Sequence, residues 1–565
     1  MTRTSIGALA ALGSMLLASS ALAADVTVER LRNPEPQNWL MNHGDYNAHH
    51  YSALERINKT NVKNLRFAFS VALGQKSGNE NLLATPLVDD GFMYMTDAWG
   101  VLYKIDVRSG TSGPIVWKMD PGQAKIDRNR GAALWGNLVI SVTSHDGRVV
   151  ATDRDTGKVV WDKNLHDQPD MTLNAAPLAL GDRILVGASG GDQGVRTWLV
   201  ALDPKTGNEL WRFYTIPGPG EPGHETWKDK NNAWQTGGGA FYVTGSYDPA
   251  TNLTYWGSGN PVPGYDASYR PGDNLYTNSA LALDAATGKL RWYHQYTPND
   301  TMDYDETGSH ILIDTRINGE DRKTVVRAAR NGFAYSFDRL SGQFLKATQY
   351  VSKVTWTKGI DPKTGKPVDY DPNKDLQTYA EPITQIVNGA KASFCPGVPG
   401  GNNFWSAAYS RRTKLLYIPE LEGCTSAVRD QAAHVRGKYD GGSFSYDGRV
   451  TSGIVVYDPA TGEIKKRKDM PYGNSAGALA TAGGVIFTAL LDGTILALDD
   501  ETLEELWSFN VGTGINSPPI AYEVNGKQYI AIATGLTRNQ VGRLANSPET
   551  RSLSQHATML FVFGL

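Results

Sequence analysis

Cysteine is almost missing from this chain. Only Cys395 and Cys424 occur, and no Cys-x-x-Cys pair or matching histidines accompany them, which excludes a structural zinc site of the usual spacing. No Cys-x-x-Cys-His is present either, so the chain carries no covalent c-type haem. One disulfide is the expectation for two cysteines in an exported chain, with two free thiols as the alternative. After the first two dozen residues no run approaches the roughly 18 apolar residues that a membrane span requires. Charge blocks are absent too: acids and bases are interspersed and the formal net charge is −3, so neither a nucleic-acid face nor an anionic-lipid face is implied.

The N-terminus has an apolar run from Ile6 to Leu22 behind the single positive charge of Arg3, ending in Ala21-Leu22-Ala23. A signal peptide over 1–23 is expected, cleaved after Ala23 or one residue later, with an uncleaved anchor as the alternative. The mature chain, 24–565, is then a soluble periplasmic protein of one domain. Abundance points the same way: 60 glycines, 26 tyrosines and 14 tryptophans describe turn-rich β structure.

One phrase repeats along the chain: an apolar strand, Asp, a Thr-Gly or Ser-Gly turn, a short strand, then Trp. Clear copies are Val150 to Trp161, Ala201 to Trp211 and Ala282 to Trp292. Weaker copies surround Asp106, Asp338, Asp458 and Asp499. Each reads as a hairpin whose Asp caps the turn and whose Gly supplies positive φ. With a Pro-led strand after several copies, each unit has about four strands, and radial repetition of such units is a propeller. The expected fold is all-β, an eight-bladed β-propeller of four-stranded antiparallel blades, seven blades being the alternative. A Trp at the end of the third strand of each blade should dock between neighbours. Segments 217–239, 350–401 and 423–447 lack the phrase and read as loops over one face.

Propellers serve as enzymes and as scaffolds, so function must be sought in the interruptions. In Gly187-Ala188-Ser189-Gly190-Gly191-Asp192, glycines admit close backbone approach to a planar anion and Asp192 can ligate a hard cation; a plain β-turn is the alternative. Asn260, in Gly259-Asn260-Pro261, offers an amide oxygen or is a simple turn residue. Thr297 to Glu306 holds four carboxylates in seven residues, which repel unless they share a cation or a proton; a solvated acidic loop is the bland reading. Such oxygens suit Ca²⁺ or a trivalent ion better than zinc or copper. Arg130, Arg330 and Asn403 could each bind a carboxylate or carbonyl oxygen.

Taken with Gly-Ser-Tyr-Asp-Pro at 245–249, Ala329-Arg330-Asn331-Gly332-Phe333 and Ala480 to Gly484, these motifs occur in the order found in the pyrroloquinoline quinone (PQQ)-dependent methanol and ethanol dehydrogenases, which the whole mature chain resembles. The resemblance implies PQQ and one metal ion, Ca²⁺ with a lanthanide ion as the alternative. Asp192, Asn260, Asp303 and Asp305 would be at the metal, and Asp303 would be the catalytic base. Arg330 would contact the reactive quinone oxygen and Arg130 a quinone carboxylate. Asn174, Ser189, Gly190, Gly191 and Asn403 would line the ring's edge, and Tyr242 would stack where the family has Trp. The resemblance also pairs Cys395 with Cys424. Departures fall in the same pocket: Ala124-Lys125 replace the family's vicinal disulfide, Leu83 replaces a Glu and Ser475 a Trp. The implied activity is oxidation of an alcohol to an aldehyde or ketone, and since the chain carries no haem motif the electrons are expected to pass to a separate acceptor, a soluble cytochrome c or a similar carrier. A bulky or secondary alcohol, a sugar or a polymer are alternative substrates, and a non-catalytic periplasmic scaffold is the rival from another class.

Overall fold

Each repeated phrase folds as a strand, an Asp-capped turn and a strand, because the Asp carboxylate takes the N–H groups that the turn exposes. In the computed structural model, which describes residues 24–74, 80–317, 319–379, 391–429, 441–536 and 557–565, Asp153 Oδ1 accepts from Thr156 N at 2.8 Å and Asp155 N at 3.2 Å. Asp203, Asp284, Asp338 and Asp499 cap their turns in the same way. The expected signal peptide, 1–23, lies outside the described residues.

Eight antiparallel four-stranded sheets result. They span 87–119, 133–164, 178–214, 246–295, 311–349, 408–470 and 478–510, and the eighth combines 520–564 with the early strand Arg66–Ala72. In that last sheet Arg66–Ala72 pairs with Met559–Gly564, so the chain's two ends close one blade together. The short strand Tyr51–Ser52 adds in parallel to the edge of the seventh.

The tryptophans correct the expectation of a third-strand position. Asp ends the third strand, and the residue eight places on lies on the fourth, outer strand: Trp161 in Val159–Asn164, Trp211 in Glu209–Tyr214, Trp292 in Leu290–Gln295 and Trp507 in Glu505–Asn510. From there the indole reaches the seam with the next blade. Trp117 Nε1 donates to Arg154 O, Trp161 to Pro204 O, Trp211 to Ala285 O, Trp292 to Arg339 O and Trp507 to Leu65 O, all at 3.0–3.2 Å. Where the phrase has no Trp, Lys346 and Lys466 stand at the same offset and donate to Ala460 O and Glu501 O. Asn525 Nδ2 to Arg108 O joins the eighth blade to the first and closes the ring. The turn glycine serves the seam as well: Gly157 has φ +71°, and a Cβ there would lie 2.8 Å from the Trp117 ring.

A second correction concerns the loops over one face. Segments 350–401 and 423–447 contain Lys391–Phe394, Thr425–Arg429 and Gly442–Tyr446, which pair as a separate three-stranded antiparallel sheet. Its strands are too short to stand out in the sequence and pair with segments far along the chain. Cys395 and Cys424 are disulfide-bonded immediately beside it, where Phe394 pairs with Thr425. No helix of the described residues is long and apolar enough to cross a membrane.

Candidate functional site

The interruptions singled out in the sequence come together. A cavity of 460 Å³ is lined by Arg130, Asn174, Ser189, Gly190, Gly191, Asp192, Tyr242, Asp303, Asp305, Arg330 and Asn403. Asn260 lies in an adjoining chamber of 590 Å³ that shares Asp192 and Asp303 with the first. These residues come from loops of different blades, so only ring closure brings them together.

Local folding explains how each is presented. Gly190 is left-handed at φ +90°, and a Cβ there would meet Asp170 O at 2.4 Å, so no other residue fits. The following 3₁₀ turn, Gly191–Gln193, turns Asp192 to the cavity wall. In the acidic run the four carboxylates divide. Asp300 turns inward and accepts from Met302 N and Tyr304 N at 2.9 Å each, which shapes the loop. Glu306 is buried and accepts from Arg330 N at 3.1 Å and Arg327 Nε at 3.3 Å; burial pushes its carboxyl up to about 7. Asp303 and Asp305 face the cavity. Asp303 holds φ +60°, a conformation that Asp tolerates at a modest cost.

Arg330 organises the centre. Its Nη1 lies 2.5 Å from Asp305 Oδ2, its Nη2 3.4 Å from Asp303 Oδ2, and its Nε donates to Val398 O at 2.8 Å. Asp305 takes two further donors, the Asn260 N–H at 2.9 Å and the Tyr242 hydroxyl at 2.9 Å. The same hydroxyl stands 3.0 Å from Asn403 Oδ1. Asp303 is less engaged, and its carboxyl is driven well above the usual range by burial and by the fields of Asp305, Asp192 and Asp300, against the opposing pull of Arg330. Among the described residues, no three His, Cys, Asp or Glu side chains group closely enough to hold a metal on their own.

Arg130 completes the floor. Its guanidinium lies 5.0 Å from the ring centroids of both Tyr242 and Phe404, yet its Nε and Nη1 are buried without a hydrogen-bond partner, as is Asn174 Oδ1. Burial brings the guanidinium down to about 10. Unsatisfied buried groups of this kind are costly, and here they line a cavity. Leu83 and Ser475 do not reach it; they line a 30 Å³ hollow beneath Arg130, with His43 and Trp405. Residues that sequence reasoning did not single out include Phe404, Val398, Arg128, Phe444 and Tyr446. The last two come from the unexpected sheet, and no motif marks them.

Comparison with known proteins agrees with this geometry. Residues 39–352 and 449–530 match the family model described as PQQ, glucose/ethanol/alcohol dehydrogenase, β-propeller domain. The chain is 33% identical over 555 residues to the quinoprotein alcohol dehydrogenase PedH of Pseudomonas putida, covering 93% of this chain and 90% of the relative. It is 33% identical over 530 residues to the quinohemoprotein alcohol dehydrogenase of Comamonas testosteroni, covering 87% and 72%. A solved europium-containing methanol dehydrogenase superposes with a TM-score of 0.87 at 29% identity, covering 95% of this chain and all of that one. A closed eight-bladed ring, a cavity assembled from its loops and similarity along nearly the full length lead to one conclusion: the chain belongs to the PQQ-dependent alcohol dehydrogenase family and is an oxidoreductase.

Proposed function

We propose that this enzyme oxidises an alcohol in the periplasm with PQQ and one Ca²⁺, and that a separate soluble cytochrome c takes the electrons. The observation that carries this reading is the convergence of the residues named above on one cavity with unsatisfied polar atoms in its floor. A planar cofactor bearing carboxylates fits those atoms: Arg130 offers two unpaired N–H directions, the rings of Tyr242 and Phe404 offer faces, and Ser189, Gly190, Gly191, Asn174 and Asn403 form the edge. Asp192, Asn260 and Asp303 are oxygen donors around one chamber, a set suited to a hard cation whose remaining ligands come from the cofactor. Asp305, held by Arg330, Tyr242 and the Asn260 N–H, stands beside them. A lanthanide ion in place of Ca²⁺ is the alternative to be separated by experiment.

When bound, the metal and quinone supply a polarised carbonyl that accepts two electrons from the substrate. The chain's own residues do the rest. Asp303 is placed to accept the alcohol's hydroxyl proton, a role for which its carboxyl must be ionised; a cation held by Asp192, Asn260 and Asp303 would offset the burial and the neighbouring carboxylate fields that otherwise keep it protonated. Arg330, fixed by Asp305 and Val398 O, directs its charge toward the cavity, where negative charge develops. In this reading residues 1–23 act as a signal peptide, and export would put the reaction within reach of periplasmic cytochromes.

Reconstitution tests this. Apoprotein supplied with PQQ and either Ca²⁺ or La³⁺ is assayed for dye-linked alcohol oxidation, with quinone binding followed by fluorescence. Asp303→Asn should bind quinone normally while kcat falls at least about a thousandfold, some 4 kcal/mol of barrier. Full activity in that variant, or no quinone binding by the parent protein, overturns the reading.

A further inference from the structure

The second chamber, of 590 Å³, adjoins the first, and the two share Arg128, Asp192, Gln193, Asp303, Phe444 and Tyr446. Asp303 lines both chambers, whereas Arg130 and Tyr242 of the cofactor floor line the first and not the second. A cation at Asp192, Asn260 and Asp303 together with a methanol- or ethanol-sized substrate would take up only a small part of this volume, which falls in the range of roughly 300–1,000 Å³ that encloses drug-sized ligands. One wall is a row of rings: Tyr265 and Phe444 have centroids 6.4 Å apart and Phe444 and Tyr446 5.8 Å. Phe444 and Tyr446 lie two apart on the strand Gly442–Tyr446, so they share one face of the small sheet. Gln193 and Arg128 add polar groups at the margin, Arg128 being held only loosely by Asp127 at 3.8 Å.

We infer that the substrate is a bicyclic or polycyclic secondary alcohol, whose ring body lies against Phe444 and Tyr446 while its ring-borne hydroxyl reaches Asp303. This rests on the alcohol dehydrogenase reading above and specifies it. A rigid ring system fits a flat aromatic wall because it buries a face without losing rotamer freedom, which a linear chain would lose on entering the same space. Polar substituents on the far edge meet Gln193 and Arg128. The chemistry is that of the family: the carbinol gives up its carbon-bound hydrogen with two electrons and its hydroxyl proton, the bound quinone is the two-electron, two-proton acceptor, and the product is a ketone.

The experiment uses the PQQ- and metal-loaded enzyme with ethanol, cyclohexanol and decahydro-2-naphthol as substrates, and follows binding of the ketone 2-decalone by saturation-transfer NMR. Decahydro-2-naphthol should exceed ethanol in kcat/KM by about tenfold or more, the scale expected of a few buried methylenes. Phe444→Ala and Tyr446→Ala should each lower the ratio of the two kcat/KM values by about fivefold or more and weaken 2-decalone binding, with cooperative thermal melting by circular dichroism as the check on folding. Ethanol preferred over the bicyclic alcohol, or unchanged ratios and ketone binding in both variants, overturns the inference while leaving the dehydrogenase intact. No oxidation of any of the three alcohols by quinone-loaded enzyme, with no 2-decalone bound, removes the dehydrogenase reading and this inference together.

Discussion

Tyr242 shows most clearly what a single residue decides. As an aromatic ring it packs beside Arg130, and as a phenol it anchors Asp305, which in turn holds Arg330. Burial and the neighbouring Asp305 carboxylate drive its hydroxyl well above the usual phenol range, so it remains a donor at working pH. Tyr242→Phe keeps the ring and loses the anchor. A hydrogen bond to a charged group contributes about 1.5–3 kcal/mol, so kcat should fall about tenfold or somewhat more, with the quinone dissociation constant changed by less than about threefold. Stopped-flow turnover and fluorescence titration separate the two. Unchanged kcat in this variant would mean that Tyr242 acts through its ring alone.

At the scale of elements, the disulfide does more than join two loops. The segment after Cys395 supplies Pro396 O, which accepts from the Tyr304 hydroxyl at 2.5 Å, and Val398 O, which accepts from Arg330 Nε. Gly397 N donates to Gly423 O and Val398 N to Thr425 Oγ1, tying that segment to the small sheet. Cys395–Cys424 therefore clamps the carbonyls that position Arg330 and the residue between Asp303 and Asp305. Replacing both cysteines by Ser should cost about 3–4 kcal/mol of stability for a closed loop of this length. It should also lower kcat about three- to tenfold, with quinone affinity unaltered. Denaturant titration and steady-state kinetics on one preparation check both numbers. The same scale explains why the repeated phrase alone does not count blades: Asp361-Pro362-Lys363-Thr364-Gly365 makes the same Asx-capped turn, Thr364 N to Asp361 Oδ1 at 2.8 Å, but in a loop that belongs to no blade.

For the whole molecule, stability depends on ring closure and on buried neutral histidines. Deleting 557–565 removes the strand that pairs with both Lys527–Thr534 and Arg66–Ala72, and the shortened chain should show no cooperative melting by circular dichroism. His294 sits among Phe337, Tyr335, Tyr296 and Phe344 with Nε2 unpartnered, and burial lowers it to about 3. Its folded pKa is below its unfolded value of 6.5, so the unfolded chain binds the proton first. Stability is complete above pH 6.5 and is lost as pH falls toward 3, at about 1.4 kcal/mol per pH unit. Glu306, raised to about 7, slopes the opposite way between pH 4.5 and 7, so the informative quantity is a difference between proteins. His294→Phe should gain on the parent by about 2 kcal/mol between pH 6.5 and 5 in denaturant titrations; parallel curves would refute the assignment.

The sequence by itself determined the repeat, the capped turns, the all-β class and which interruptions to search for a site, because Asp-capped turns and alternating strands are local in their physics. Asp192, Asp303, Arg330 and Arg130 were legible as candidates for the same reason: unusual residues stand out against a regular background. The division of the acidic run between loop-shaping Asp300 and Glu306 and cavity-facing Asp303 and Asp305 was not legible, since neighbouring carboxylates differ only in which distant donors they meet. Nor was the small sheet with Phe444 and Tyr446, whose strands pair across long separations. Tertiary structure decided these points because closing a ring of blades sets residues far apart in the chain within hydrogen-bond reach, and no local pattern records that distance.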